Sequence, residues 1–374
     1  MITISLCMIV KDEEKTLGRC LGSVSEIVDE IVIVDTGSSD NTKEIAKSFG
    51  AKIYDFVWED NFAKARNYAF SKATKEYQLW LDGDDYLDDS NSKKLSELKN
   101  TLESDVDSVT MNYSLIRNEK DETTYSLRRN RLVKRQKGFI WIGKVHEYLS
   151  VYGNIYDSDI SVNHNKVKEN TNRNLMIFKK MELDKDKFTS RDLFYYANEL
   201  YDNKCYEEAI IKYKEFLCEE GIWVEEVKRA TSNLVRSLSY VKALPDDRIS
   251  VIFDCMKKYT PNGEMLCELS NAFMEKGMYD EAILHLKSAL NIDEDILNSG
   301  FNNRAYVTWV PAIQLCVCYS LIGKFEKAYY YNELAYLNSA PEDKINYNRE
   351  FLKSKIDELG IKLDKIKYLL SWEK

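Results

Sequence analysis

The chain has 374 residues, 44% of them hydrophobic and 31% charged, with a formal net charge of −9. That length allows two or three domains, and either half is long enough to bury a core of its own. The negative balance speaks against a chain devoted to nucleic acid, and no apolar run approaches the roughly 18 residues of a membrane span.

The opening MITISLCMIV is apolar, lacks a basic leader and runs straight into KDEE, so it predicts a first strand, not a signal peptide. Leu17, Cys20, Leu21 and Val24 follow at the spacing of an amphipathic helix. Glu30–Asp35 reads as a second strand ending in an acid. Asn41 with Glu44 three residues on predicts a capping box, and Gly50 closes the helix it starts. Residues 51–56 form a third strand and 61–73 a third helix. The run YQLWL then ends in Asp82-Gly83-Asp84-Asp85, a buried strand with three carboxylates at its carboxyl end. This β-α alternation predicts a parallel sheet with helices on both faces. Eight cysteines without a CxxC pair or Cys/His cluster argue for reduced thiols and a cytosolic protein.

Neither G-x-x-x-x-G-K-[ST] nor G-x-G-x-x-G occurs, which disfavours a P-loop enzyme or a dinucleotide dehydrogenase. Open α/β sheets bind ligands at the carboxyl ends of their strands, where Asp35 and Asp82 both fall. Asp35 is suited to accept from a base N–H, Asp82 from ribose hydroxyls, Asp84 to reach Mg²⁺ or Mn²⁺, and Arg66 to meet a diphosphate. The plain alternatives are a solvated acidic turn, a turn-capping role for Asp35 and a surface ion pair for Arg66.

Past Leu87, residues 91–103 are helical, and 108–116 with 124–134 form a strand pair around the polar turn NEKDE. The basic run RRNRLVKRQK (128–137) reads as the solvated edge of that pair, not as a phosphate cradle. FIWIGKVHEYL follows, and a later strand ends in His164.

SLCMIVKDEEKTLGRCLGSV, IVDTGSSDNT, NFAKARNYA and WLDGDD resemble, in order and spacing, the GT-A glycosyltransferases of family 2 across about the first 90 residues. The resemblance implies a Rossmann-like nucleotide-diphospho-sugar transferase fold, a donor such as UDP-glucose or UDP-N-acetylglucosamine, a divalent metal and inverting transfer. Where family 2 enzymes commonly carry a Glu-Asp pair holding the base, this chain has Val145-His146-Glu147. Glu147 or His146 is then the base, and His164 completes the metal shell; each is equally readable as hydrogen-bonded structure. His285 reads as a surface residue.

After Lys168 the strand signal ends, giving domains 1–168 and 169–374, with a polar linker at 170–174. Ala197, Leu200, Tyr206, Ala209 and Tyr213 follow the pattern of a tetratricopeptide helix pair. Ser270, Phe273, Tyr279, Ala282 and Leu286 repeat it, as do Cys316, Tyr319, Phe325, Ala328 and Asn332. A weaker copy runs through Ser237, Tyr240, Ile249 and Phe253. A generic helical bundle is the alternative. An α/β GT-A domain followed by an all-α tetratricopeptide-like domain resembles the transferases that attach sugar to cysteine in glycocin peptides. That implies a peptide or protein acceptor. Tyr195, Tyr201 and Trp309 would give a groove of the helical arm aromatic contact area, the alternative being that they only pack helix against helix, as expected of Tyr196. A homodimer is a further expectation. Transfer to a surface polysaccharide or lipid-linked glycan is the runner-up, and an inert peptide-binding scaffold the rival from another class.

Overall fold

The computed structural model describes residues 1–117, 123–164, 172–292 and 303–360. The chain divides into two compact units, Met1–Lys185 and Asp186–Lys374. The NEKDE turn and the expected boundary at 168 lie outside the described residues.

The first unit opens with β1 (Ile4–Val10), α1 (Leu17–Gly22), β2 (Glu30–Asp35), α2 (Thr42–Ser48), β3 (Lys52–Asp55), α3 (Phe62–Lys72) and β4 (Tyr77–Trp80). Then come β5 (Asp85–Tyr86), α4 (Asp89–Thr101), β6 (Ser108–Arg117), β7 (Thr123–Lys134), β8 (Ile140–Ile142), β9 (Tyr148–Ser150), β10 (Ile155–His164) and α5 (Arg173–Leu183). Eight strands form one sheet in the order β3-β2-β1-β4-β7-β6-β10-β5, and β8 with β9 makes a separate ribbon. The first four are parallel, as alternation with helices requires. Beyond β4 the sheet is mixed, because β7 and β6 are joined as an antiparallel pair.

β1 shows why helices cover both faces. Ile4, Leu6, Met8 and Val10 point into one core with Leu17, Leu21, Ala46 and Leu95, while Cys7 points into the other with Ala69, Phe70 and Trp141. Val10 pairs with Asp35, and Cys7 with Trp80 two residues before Asp82, so both acids end at one sheet edge.

Two expectations are corrected here. The basic run is not a solvated edge: β7 lies between β4 and β6, and Arg131 is fully buried. The capping box does not form, since Asn41 Nδ2 donates to Glu14 at 3.1 Å and Asp40 instead accepts from Thr42 N–H at 3.0 Å. The first compact unit ends at Lys185. It includes α5, whose Lys180 donates to Asp60 at 2.6 Å and whose Phe178 ring lies 6.5 Å from that of His146.

The second unit is helical: α6 (Ser190–Asp202), α7 (Tyr206–Leu217), α8 (Val224–Tyr240), α9 (Pro245–Met256), α10 (Gly263–Glu275), α11 (Tyr279–Leu290), α12 (Trp309–Leu321), α13 (Phe325–Leu337) and α14 (Glu342–Leu359). The small residues twelve apart are what let each pair close. Ala197 with Ala209, Ser270 with Ala282, and Cys316 with Ala328 are all buried. Ser270 Oγ lies 3.2 Å from the Ala282 carbonyl oxygen on the facing helix. The weaker copy occupies α8 and α9 with Ser237 and Ile249 buried. His285 is half-buried and stacked on Phe273 at 5.6 Å, so it is a packing residue, not a surface one. No helix among the described residues is long and apolar enough to cross a membrane.

Candidate functional site

A cleft of about 450 Å³ opens at the carboxyl edge of the parallel strands. Arg66, Asp82, Asp84, His146, Glu147 and His164 all line it, so six of the residues singled out from sequence share one cavity.

α3 delivers Arg66. Asn61 caps that helix, its side chain accepting from Lys64 N–H at 2.9 Å. Asn67 exchanges two hydrogen bonds with the backbone of Trp141 at 2.8 and 3.0 Å, and Phe62 N–H donates to the Lys144 carbonyl at 2.9 Å. The β8–β9 loop that carries His146 and Glu147 is thereby fastened to α3. Gly143 holds φ +102° in that loop, and a Cβ there would sit 3.4 Å from Glu147 Cα, so a side chain would be strained. His146 itself takes φ +49°.

The Arg66 guanidinium lies 5.0 Å from the Trp80 ring centroid and 4.7 Å from that of Trp141. Its Nε donates to Glu147 Oε1 at 2.6 Å and its Nη2 to Asp82 Oδ1 at 2.6 Å. This is a buried bridge between two acids, not a surface ion pair. Burial raises the Asp82 carboxyl, but Arg66 and Arg131 outweigh it and hold it below the ordinary value.

Strand register brings in His164. Asp85 lies opposite His164 in the β5–β10 pairing, which sets the imidazole against the acids 80 residues earlier in the chain. Nδ1 is 3.6 Å from Asp84 Oδ1 and 3.4 Å from Asp85 Oδ1. Asp84, Asp85 and His164 each offer a ligand atom, all within 4.8 Å of one another. Burial, joined by Asp82 and Asp85, pushes the Asp84 carboxyl up to about 6 despite His164. Crowded carboxylates with an imidazole fit a divalent cation such as Mn²⁺ or Mg²⁺, which would relieve that repulsion.

Asp35 stands apart from this group. It is 1% exposed, accepts from Gly37 and Ser38 N–H at 3.1 and 3.0 Å, and lies 3.4 Å from Lys43 Nζ. Its neighbour Thr36 lines the cleft.

Residues 5–160 match the family described as Glycosyl transferase family 2. The chain carries a family 2 glycosyltransferase domain. A TPR repeat-containing protein of Synechococcus elongatus is 49% identical over 87 residues, 23% of this chain and 22% of that protein. The SPbeta prophage-derived glycosyltransferase SunS of Bacillus subtilis is 28% identical over 223 residues, 56% of this chain and 51% of SunS. The matches thus span about a fifth and about half of those relatives. A crystal structure of glucosyl-3-phosphoglycerate synthase from Mycobacterium tuberculosis, in complex with Mn²⁺, UDP-glucose and phosphoglyceric acid, is 20% identical. It covers 30% of this chain and 44% of that one, with a TM-score of 0.27.

Within the family 2 domain, sequence reading missed Arg131 and Tyr113. Arg131 Nη1 pairs with Asp85 Oδ2 at 3.0 Å, and both side chains are fully buried. The guanidinium lies 3.8 Å from the Trp80 ring centroid and 4.4 Å from that of Tyr113. The available signal was the adjacent apolar pair Leu132-Val133 inside the basic run, since neighbouring apolar residues mark a strand covered on both faces.

In the helical unit, Tyr195 and Tyr201 are half-buried on α6. Arg191 lies 4.7 Å over the Tyr195 ring, and Tyr201 packs edge-on against Tyr206 at 5.8 Å. Trp309 begins α12 and packs beside Ala312 and Ala335. Tyr196 is buried, as expected of a core residue.

Proposed function

We propose that the chain is an inverting glycosyltransferase that moves a sugar from a UDP-linked donor to a peptide or protein side chain, a cysteine thiol among them. The observation that carries this reading is the shared cleft, lined by Asp84 and His164 together with the Arg66–Glu147 pair. SunS, named as a glycosyltransferase, supports the reaction class. The helical pairs support the acceptor class, since such arrays present extended surfaces suited to peptides.

Asp84 and His164 would hold the cation. A bound divalent ion supplies Lewis-acid stabilisation of charge on the leaving diphosphate. Asp82 accepts from the ribose side, and Asp35 serves the base end through the turn its carboxylate organises. Arg66 holds Asp82 and Glu147 at fixed separation and faces the diphosphate. The acceptor atom bonds to the sugar C1 as the C1–O bond to the diphosphate breaks, from the opposite face. Glu147 takes the acceptor proton, with His146 beside it as the alternative base. Tyr195, Tyr201 and Trp309 contribute aromatic contact area to the acceptor.

Incubation with UDP-sugars and Mn²⁺, with thiol-bearing peptides in one series and glycan acceptors in another, tests this reading. Mass-shifted peptide is expected. Product in the glycan series alone would replace the peptide acceptor, and no donor turnover in either series would remove the enzyme reading.

A further inference from the structure

Tyr113 sits on β6, 8% exposed, and touches two of the three metal-site candidates. Its hydroxyl donates to Asp85 Oδ1 at 2.9 Å and lies 3.0 Å from His164 Nδ1. Asp85 Oδ2 also accepts from Asp82 N–H at 3.0 Å and is ion-paired with Arg131 Nη1 at 3.0 Å, so this carboxylate faces donors and a cation on every side that is described. The single hydroxyl hydrogen of Tyr113 therefore goes to Asp85. Toward His164 the phenol oxygen offers only lone pairs. The other polar atoms nearest Nδ1, Asp85 Oδ1 at 3.4 Å and Asp84 Oδ1 at 3.6 Å, are acceptors as well. The hydrogen in these contacts belongs to Nδ1.

We propose that Tyr113 is a positioning residue that holds His164 in the Nδ1–H tautomer, leaving Nε2 as the nitrogen available to a divalent cation. The proposal rests on the cation reading of the Asp84–Asp85–His164 cluster. Arg131 secures the arrangement by pairing with Asp85 while its guanidinium lies against the Tyr113 ring. A histidine that ligates metal commonly donates its other N–H to an oxygen in this manner.

The tautomer is read directly by ¹⁵N-edited NMR of the full-length, metal-free protein at alkaline pH, where imidazole is neutral. The His164 signals, identified by their loss in His164→Ala, should show hydrogen on Nδ1 and a bare Nε2. Hydrogen on Nε2 would overturn the proposal. Tyr113→Phe keeps the ring against Arg131 and removes only the oxygen. It should weaken Mn²⁺ binding, measured by calorimetry without donor, by about 10–100-fold. In a His164→Ala background the same change should have no further effect on Mn²⁺ affinity. Unchanged affinity in Tyr113→Phe, or an equal loss in the His164→Ala background, would sink it. A wild-type protein that binds no Mn²⁺ would overturn the cation reading, and the metal-free tautomer would still decide the part played by Tyr113.

Discussion

Arg66 and Glu147, 81 residues apart in sequence, are joined by Nε–H···Oε1 at 2.6 Å. The other arm of the same guanidinium holds Asp82. Two acids from different elements are thus set at one separation by a planar fork, with Trp80 and Trp141 rings about it. Lysine is a point charge and cannot bridge both.

Arg66→Lys is therefore expected to lower kcat/KM for transfer by about 100-fold, the scale of a catalytic group misplaced by an ångström. Steady-state kinetics checks this, with circular dichroism to show an intact fold. Parental kcat/KM would remove the bridge from the mechanism.

Asp84→Ala removes a half-buried carboxylate from a turn outside the apolar core. Metal-dependent binding of a UDP-sugar should be lost while thermal stability holds. Calorimetry with and without EDTA separates the cases. Undiminished, EDTA-insensitive binding in the variant would refute Asp84 as a ligand.

Glu147→Gln keeps the shape and loses the charge opposite Arg66. Donor affinity should stay near parental, and transfer to a hydroxyl acceptor should slow by about 10²–10⁴-fold. For a thiol acceptor the drop should be smaller, because a few per cent is already thiolate near pH 7. Single-turnover rates with matched acceptors give the comparison, and an unchanged hydroxyl rate would leave His146 as the base.

Legibility in the sequence followed the range of the interaction. Asp82 and Asp84 were readable because an apolar run breaking into acids is a local signal. Arg66, on a helix with evident periodicity, was readable as a site residue, but its pairing with Asp82 and Glu147 was not. The burial of Arg131 depends on β7 pairing with β4, some 50 positions away in the chain, and a run of basic residues gives no hint of a buried aspartate waiting for one of them. Asn41 failed for the same reason. Glu44 is its partner by spacing, yet Glu14 reaches it from another loop. The helical pairs were legible because Ala, Ser or Cys at a twelve-residue interval is itself the close-packing requirement.

Glu30 gives a pH-dependent prediction outside the cleft. Burial alone would raise its carboxyl, but hydrogen bonds from Lys52, Ser5 and Thr74 outweigh that and hold it at about 2, against an ordinary 4.5. A carboxylate depressed in the folded state stabilises fully above its unfolded pKa, and that contribution fades as pH falls through the folded one. Glu30→Gln should therefore cost on the order of 2 kcal/mol at pH 7 and progressively less between pH 4.5 and 2. Urea midpoints measured across that window check it, and a difference that is constant with pH would show that the charge is not responsible.

The last prediction concerns where the catalytic half ends. α5 lies beyond the point where the strand pattern stops, yet it belongs to the first unit. Its Leu175, Ile177, Phe178 and Met181 are buried, Arg173 lies 4.7 Å over the Phe62 ring, and Lys180 pairs with Asp60. Cutting the chain after residue 170 removes four buried apolar side chains, each worth roughly 1.5–3 kcal/mol, and is expected to give an aggregating fragment. Cutting after Lys185 keeps them. That longer fragment should be soluble, bind UDP-sugar and hydrolyse it slowly, yet fail to transfer to a full-length peptide, because contacts remote from the reacting atom supply affinity and orientation. Size-exclusion chromatography of both fragments comes first, followed by transfer kinetics on the soluble one. A monodisperse 1–170 fragment would show that α5 is dispensable to the fold, and unchanged kcat/KM in the 1–185 fragment would show that the helical unit does not recognise the acceptor.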